Sequence, residues 1–284
     1  MKKSLCLALV LATLMSLAFA GCGGKSDAPD SSIRGEVKAA GSTTVLPIAQ
    51  EAAVEFMDIN RKADVEVQGG GSSTGITQLN EEVIDIANSS RELQGDENDG
   101  NLVDHKIAFD IIAIIVNPSN KVRDLASEQV KSIFTGEVTN WKEFGGADQE
   151  IVVVVRDQAS GTREVFDQKA LGATSEKPVW CVPSAIESAS NGVIREIVGA
   201  TPSAIGYISY GYINKLVRPV RLNRVPPDIP NATSGRYPMA RYLHMFTRGQ
   251  PEGPTKSYVD FVLSDKFQKE VVAQEYIPVK EVLK

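Results

Sequence analysis

Apolar residues recur along this chain at two alternating spacings. Val45, Ile48, Ala49, Ala52, Ala53 and Phe56 fall three and four residues apart, the spacing of one helix face. Pro47 suits such a helix only in its first turn. VKAA (37–40) before it and DVEVQ (64–68) after it read as strands, and a short helix carrying Ile76 and Leu79 follows. DIANSS (85–90) predicts a third strand. The run from Ile107 to Val116 is too β-rich and too continuous for a half-exposed strand. Ser127 to Phe134 predicts a helix with Ser127 as its N-cap, and Ile151 to Val155 a fully buried strand, as inside parallel sheets. A helix with Val165, Phe166, Lys169 and Ala170 comes next, then a Ser190-capped helix with Val193, Ile194, Ile197 and Val198. AIGYIS (204–209) and YLHMFT (242–247) read as strands, 218–236 as a surface loop, and 254–264 and 265–274 as closing helices. Alternating strands and helices imply a doubly wound α/β architecture, whose ligands gather beyond the carboxyl ends of the strands.

Four runs of glycine and hydroxyl residues sit where strands hand over to helices: GSTT (41–44), GGGSST (69–74), NSSR (88–91) and ASGT (159–162). Glycine lets the backbone approach a ligand, hydroxyls donate hydrogen bonds, and a helix start offers free N–H groups with partial positive charge. Three consecutive glycines also cost backbone entropy on folding and need a reason. The last run follows IVVVV and Arg156. Together these features suggest a cage for a small oxyanion.

Charge and cysteine usage narrow the class. Met1-Lys2-Lys3, the apolar stretch from Leu5 to Phe19 and the small residues after it read as a secretory signal peptide over 1–21. Phe19-Ala20-Gly21-Cys22 resembles the lipobox of bacterial lipoproteins, which makes Cys22 the lipid-bearing first residue and 22–32 a flexible tether. Lys2 and Lys3 leave with the signal, so the formal charge of −6 becomes −8. An acidic body argues against nucleic acid and means that local dipoles, not net attraction, must capture an anion. Only Cys181 remains in the body, so there is no internal disulfide, and no zinc-type spacing exists. His105 and His244 have no ligand-like neighbour in the sequence. No metal or cofactor is expected.

The strings AGSTTVLPIAQEAAVEF, VEVQGGGSSTGITQL, DIANSSREL, VVVRDQASGTREVF and SNGVIREIVGATPSAIGYISYGY, in that order, resemble the phosphate-binding proteins of bacterial phosphate ABC importers. The likeness runs from about Val37 to the end of the chain. It implies a two-lobed periplasmic-binding-protein fold (type II), doubly wound sheets joined by crossing segments near Phe109–Ile114 and Tyr237–Tyr242. Residues 33–110 plus 238–284 would form lobe 1 and 111–237 lobe 2, hinging shut on the anion. Carried over by position, the phosphate ligands are Thr43, Thr44, Ser72, Ser90, Arg156, Ser160, Gly161 and Thr162. Ser90 departs from the better-known members, which place an aspartate there to accept the proton of hydrogen phosphate and so reject sulfate. Glu92 and Asp157 are the sequence neighbours that offer a substitute acceptor. The resemblance further implies a membrane permease with an ATPase as partner, a monomer, and no catalysis. A carrier for sulfate or molybdate, or a periplasmic serine hydrolase or phosphatase, are the competing readings.

Overall fold

The computed structural model describes residues 33–282. The expected signal peptide (1–21) and the expected lipidated Cys22 with its tether (22–32) lie outside the described residues. No helix among the described residues is long and apolar enough to cross a membrane.

The early strands are β1 (Arg34–Gly41), β2 (Lys62–Gly69), β3 (Ile86–Ser89), β4 (Leu102–Val116), β5 (Asp124–Leu125) and β6 (Val152–Arg156). They are followed by β7 (Ile186–Ser188), β8 (Ala204–Ser209), β9 (Arg218–Pro219), β10 (Arg221–Leu222), β11 (Ala240–Arg248) and β12 (Ile277–Pro278). The helices that matter for function are α1 (Leu46–Ile59), α2 (Ser72–Asn80), α3 (Ser127–Phe134), α4 (Gly161–Phe166), α5 (Asn191–Ala200), α6 (Ile229–Thr233) and α7 (Gly253–Val262). The sheet runs β2-β1-β3-β11-β4-β8-β6-β7. β2, β1 and β3 are parallel, as are β8, β6 and β7, whereas β11 and β4 run against their neighbours.

β4 explains how one chain makes two lobes. Its first part, through Ile111, pairs with β11, and its last five residues, Ile112–Val116, pair with β8. The long apolar run seen in the sequence is therefore one strand shared by two halves, buried on both faces from Ile111 to Val116. One core gathers Val37, Ile48, Phe56, Ile107, Leu243 and Tyr258, where α1 and α7 pack on the sheet. Past the middle of β4, Ile112 and Ile114 join a core with Phe134, Trp141, Phe166 and Tyr207, while Ala113 and Ile115 face Val154, Ile194 and Ile208. Strand alternation thus feeds two helical layers. Phe166 and Tyr207 stack with ring centroids 3.8 Å apart. Each large apolar side chain so buried contributes about 2 kcal/mol.

Three local expectations need correction. Ser127 is the first residue of α3 rather than its cap; the cap is Ala126, whose N–H donates to Gln129 Oε1 at 2.8 Å. Gln129 reaches back because Ala126 has no side-chain acceptor of its own. NSSR does not hand over to an α-helix; the next helical turn is the short Gly95–Glu97. The stretch 218–236 is not a loose surface loop. It forms β9, β10 and α6 and buries Val220, Leu222 and Ala232 in the larger core.

Candidate anion-binding site

Four helices begin close together, each just past the carboxyl end of a strand: α1 after β1, α2 after β2, α4 after β6 and α5 after β7. Ser160 and Ser190 cap α4 and α5, accepting from the N–H groups of Arg163 and Val193. The glycines bring these starts into contact. Gly71 has φ +96°, and a Cβ there would lie 2.6 Å from the carbonyl oxygen of Ala159. Ser73 N–H also donates to that oxygen at 3.1 Å. A Cβ on Gly161 would lie 2.5 Å from Ser72 Oγ. GGGSST and ASGT therefore touch backbone to backbone, at a separation that side chains forbid.

All eight residues expected from the sequence fall within this cluster. Thr43 Oγ1 accepts from Arg156 Nη2 at 3.1 Å. Thr44 and Thr162 place their hydroxyls 3.0 Å apart. Ser72 Oγ accepts from Ser90 N–H at 3.1 Å and lies 3.3 Å from Ser90 Oγ. Ser160 and Gly161 open the helix beside them. Tyr212 and Tyr276 brace the first loop by donating to the carbonyls of Thr43 and Thr44.

Arg156 is the cation at the centre. Its side chain is 1 % exposed, and Nη2 also donates to the Ala189 carbonyl at 2.8 Å. Nε and Nη1 are buried without a partner. Burial pulls the guanidinium down to about 10, with nearby Tyr207 and Asp157 opposing. It is still charged at neutral pH. A buried cation with free donors is costly unless an anion meets it. Asp157 is half-buried, its Oδ1 has no partner, and burial raises its carboxyl while Arg156 opposes the rise. The other suggested substitute, Glu92, is exposed and lies 3.9 Å from Lys106 and 3.8 Å from His244.

Sequence reading missed a second buried layer. Arg241 Nη2 donates to Thr162 Oγ1 at 2.9 Å and, more weakly, to Thr44 Oγ1 at 3.4 Å. Nε and Nη2 also hold Asp110 Oδ2 at 3.2 and 2.9 Å. Asp110 is buried, which raises its carboxyl against the pull of Arg241, and Ser209 donates to its other oxygen at 2.6 Å. Asn191 Nδ2 donates to Thr44 Oγ1 at 3.0 Å. Asp110 and Arg241 come from two strands far apart in the chain, and no motif marks either. Asn191 carried a faint signal, as the residue after the Ser190 cap. The histidines stand elsewhere: His105 bonds Thr247, while His244 bonds Asp104 and forms with it and Glu92 a grouping whose ligand atoms lie within 4.8 Å. That grouping corrects the expectation that His244 lacks ligand-like neighbours.

Comparison with known proteins places this geometry. Residues 26–266 match the PBP superfamily domain. The chain is 36% identical over 296 residues to the phosphate-binding protein PstS of Bacillus subtilis (strain 168), covering 99% of this chain and 96% of that one. A Clostridium perfringens protein solved with bound phosphate is 35% identical, with a TM-score of 0.81 over 86% of this chain and 100% of that one. An ABC-type phosphate transport receptor from Vibrio cholerae is 33% identical, with a TM-score of 0.72 over the same shares. With its two lobes and a donor-lined cluster where four helices begin, the chain belongs to the PBP superfamily and, within it, to the family of the phosphate-binding protein PstS.

Proposed function

We propose that the chain binds inorganic phosphate between its lobes and delivers it to an ABC-type importer. The observation that carries this reading is Arg156: buried, charged, bonded to no carboxylate, and with two donors free beside the hydroxyls of the cluster. Each helix start acts as roughly half a positive charge, so the starts and Arg156 together suit a dianion without a cluster of lysines. Charge-assisted donors are shorter and about twice as strong as neutral ones. High affinity thus fits an acidic protein. The ligand set is Thr43, Thr44, Ser72, Ser90, Arg156, Ser160, Gly161 and Thr162.

Other parts of the reading follow from it. The lobes divide as 33–110 plus 238–284 and 111–237, supported by the change of core partners along β4. Met239 and Ile277 are minor exceptions, since both pack into the larger core of the middle segment. The chain is an exported transport component, anchored by lipid at Cys22, working as a monomer with a permease and an ATPase. Membership of a substrate-binding family makes it a carrier and not an enzyme. In keeping with that, neither histidine bonds a hydroxyl of the cluster, and a serine nucleophile needs such a base.

Calorimetry on refolded, phosphate-stripped protein tests the reading. One phosphate per chain is expected, with no turnover of p-nitrophenyl phosphate. A protein that takes up no phosphate, or that hydrolyses the ester steadily, refutes it.

A further inference from the structure

β3, β11 and β4 lie side by side, and they gather three metal-ligating side chains outside the anion cluster. His244 on β11 stands opposite Ser89 of β3 on one side and Lys106 of β4 on the other. The register shifts between Leu243 and His244, and such bulges re-aim the side chain beside them. Glu92 lies just past the end of β3, and Asp104 shares a face of β4 with Lys106. One ligand atom from each of Glu92, Asp104 and His244 falls within 4.8 Å of the others. The imidazole is 1 % exposed and stacks on Phe246 with ring centroids 5.2 Å apart, so its position is fixed. Its Nδ1 lies 2.7 Å from Asp104 Oδ1. A carboxylate can only accept, so Nδ1 carries the proton and Nε2 of the neutral ring keeps a lone pair. Nε2 in turn lies 3.8 Å from Glu92 Oε1.

Two electron-rich atoms thus stand too far apart to share a proton, which needs about 3 Å. Their spacing instead suits a metal that binds each at about 2.0–2.1 Å. We propose that His244 Nε2 and Glu92 bind a divalent cation of the zinc type, with Asp104 orienting the imidazole. A carboxylate on the far nitrogen of a ligating histidine fixes the tautomer and makes the ring a stronger donor. Imidazole with carboxylate favours Zn2+ over Ca2+ or Mg2+, which prefer oxygen alone. Glu92 is 65 % exposed and free to close the last fraction of an ångström. Glu92 and His244 both line a cavity of about 320 Å³, which leaves room for water on the remaining coordination positions. Lys106 opposes the ion: its Nζ lies 3.9 Å from the same Glu92 oxygen and 4.5 Å from the centre of the Tyr242 ring. It must swing aside when the metal enters. The site shares no side chain with the proposed phosphate ligands, so it is independent of the phosphate reading.

The test is calorimetry with Zn2+ on untagged protein stripped of metal and phosphate, in a phosphate-free buffer. Wild type should take up one Zn2+ per chain, with half-saturation below about 100 µM. His244→Gln and Glu92→Gln each remove a ligand and should weaken binding by at least about tenfold. Asp104→Asn should weaken it by about tenfold, through the orientation of the ring. Lys106→Met should act the other way and tighten binding, because a competing cation is gone. That opposite sign is what a general loss of structure would not produce. Wild type that takes up no Zn2+ in this range overturns the proposal. So does wild-type affinity in Glu92→Gln or His244→Gln, which would put the ion elsewhere, and so does weaker binding in Lys106→Met. Should the buried His244→Gln fail to fold, the exposed Glu92→Gln and Lys106→Met still decide the matter.

Discussion

Arg91 and Arg156, two of the buried arginines around the cluster, have opposite surroundings. Arg91, just after Ser90, is 4 % exposed and fully engaged. Its Nη1 and Nη2 each lie 2.6 Å from an oxygen of Glu97, Nε lies 2.5 Å from Glu164, and Ser73 and the Glu92 carbonyl take the remaining donors. Arg156, at the end of β6, is 1 % exposed and meets only a threonine hydroxyl and a carbonyl. Equal burial therefore means different things. Where carboxylates saturate the guanidinium, the cation is a structural strap; where donors stay free, it waits for an anion. The number of arginines near a pocket says little until their partners are known.

Substituting each arginine separates the two roles. Arg91→Ala leaves Glu97 and Glu164 facing each other without their cation, and should destabilise the protein by about 3 kcal/mol, read by urea unfolding. An unchanged midpoint would remove the structural half of the contrast. Arg156→Ala should do the reverse: phosphate affinity falls by about a hundredfold, roughly 2.7 kcal/mol, because several charge-assisted bonds vanish. Tm of the ligand-free variant should not fall, since an unpaired buried charge has been removed. Unchanged affinity in calorimetry would end the assignment of Arg156 as ligand.

A smaller effect is expected where the loops touch. Gly161→Ala puts a methyl 2.5 Å from Ser72 Oγ and 3.0 Å from Arg91 Cγ. The two sides must then separate by a fraction of an ångström, so phosphate should bind about tenfold more weakly. Wild-type affinity in this variant would show that the close approach has no part in binding.

The smallest effect belongs to pH. Burial raises the Glu164 carboxyl from 4.5 to about 7, with Arg91 opposing and Glu97 and Asp167 adding to the rise. The folded protein holds this proton more tightly than the unfolded chain. The stabilisation is therefore complete below 4.5 and is lost as pH rises through about 7. Asp167, raised to about 6 by burial, has the same sign over a lower window. Glu164→Gln should flatten the upper part of the stability profile. A profile identical to wild type would show that Glu164 titrates normally.

Much of the architecture was legible because it is written in short-range patterns. The face of α1, the buried strand at Ile151–Val155 and the Ser190 cap depend on spacings of a few residues, and a linear reading captures them. The cap of α3 lies one residue before the serine that the pattern points to, and Gln129 supplies what Ala126 lacks. The stretch 218–236 reads as a loop because Pro and Arg hide the apolar residues Val220, Leu222 and Ala232 that pack inward.

By itself the sequence determined the glycine and hydroxyl loops, the lone arginine following IVVVV and the helix starts that lend their N–H groups. Those are properties of residues and of their near neighbours. Tertiary structure alone decided that Arg241 and Asp110 meet beneath Thr44 and Thr162, and that Arg91 is neutralised while Arg156 is not. The reason is physical: the worth of a buried charge depends on what stands within a few ångströms of it. The folded chain brings Asp110 to Arg241 across 131 residues of sequence.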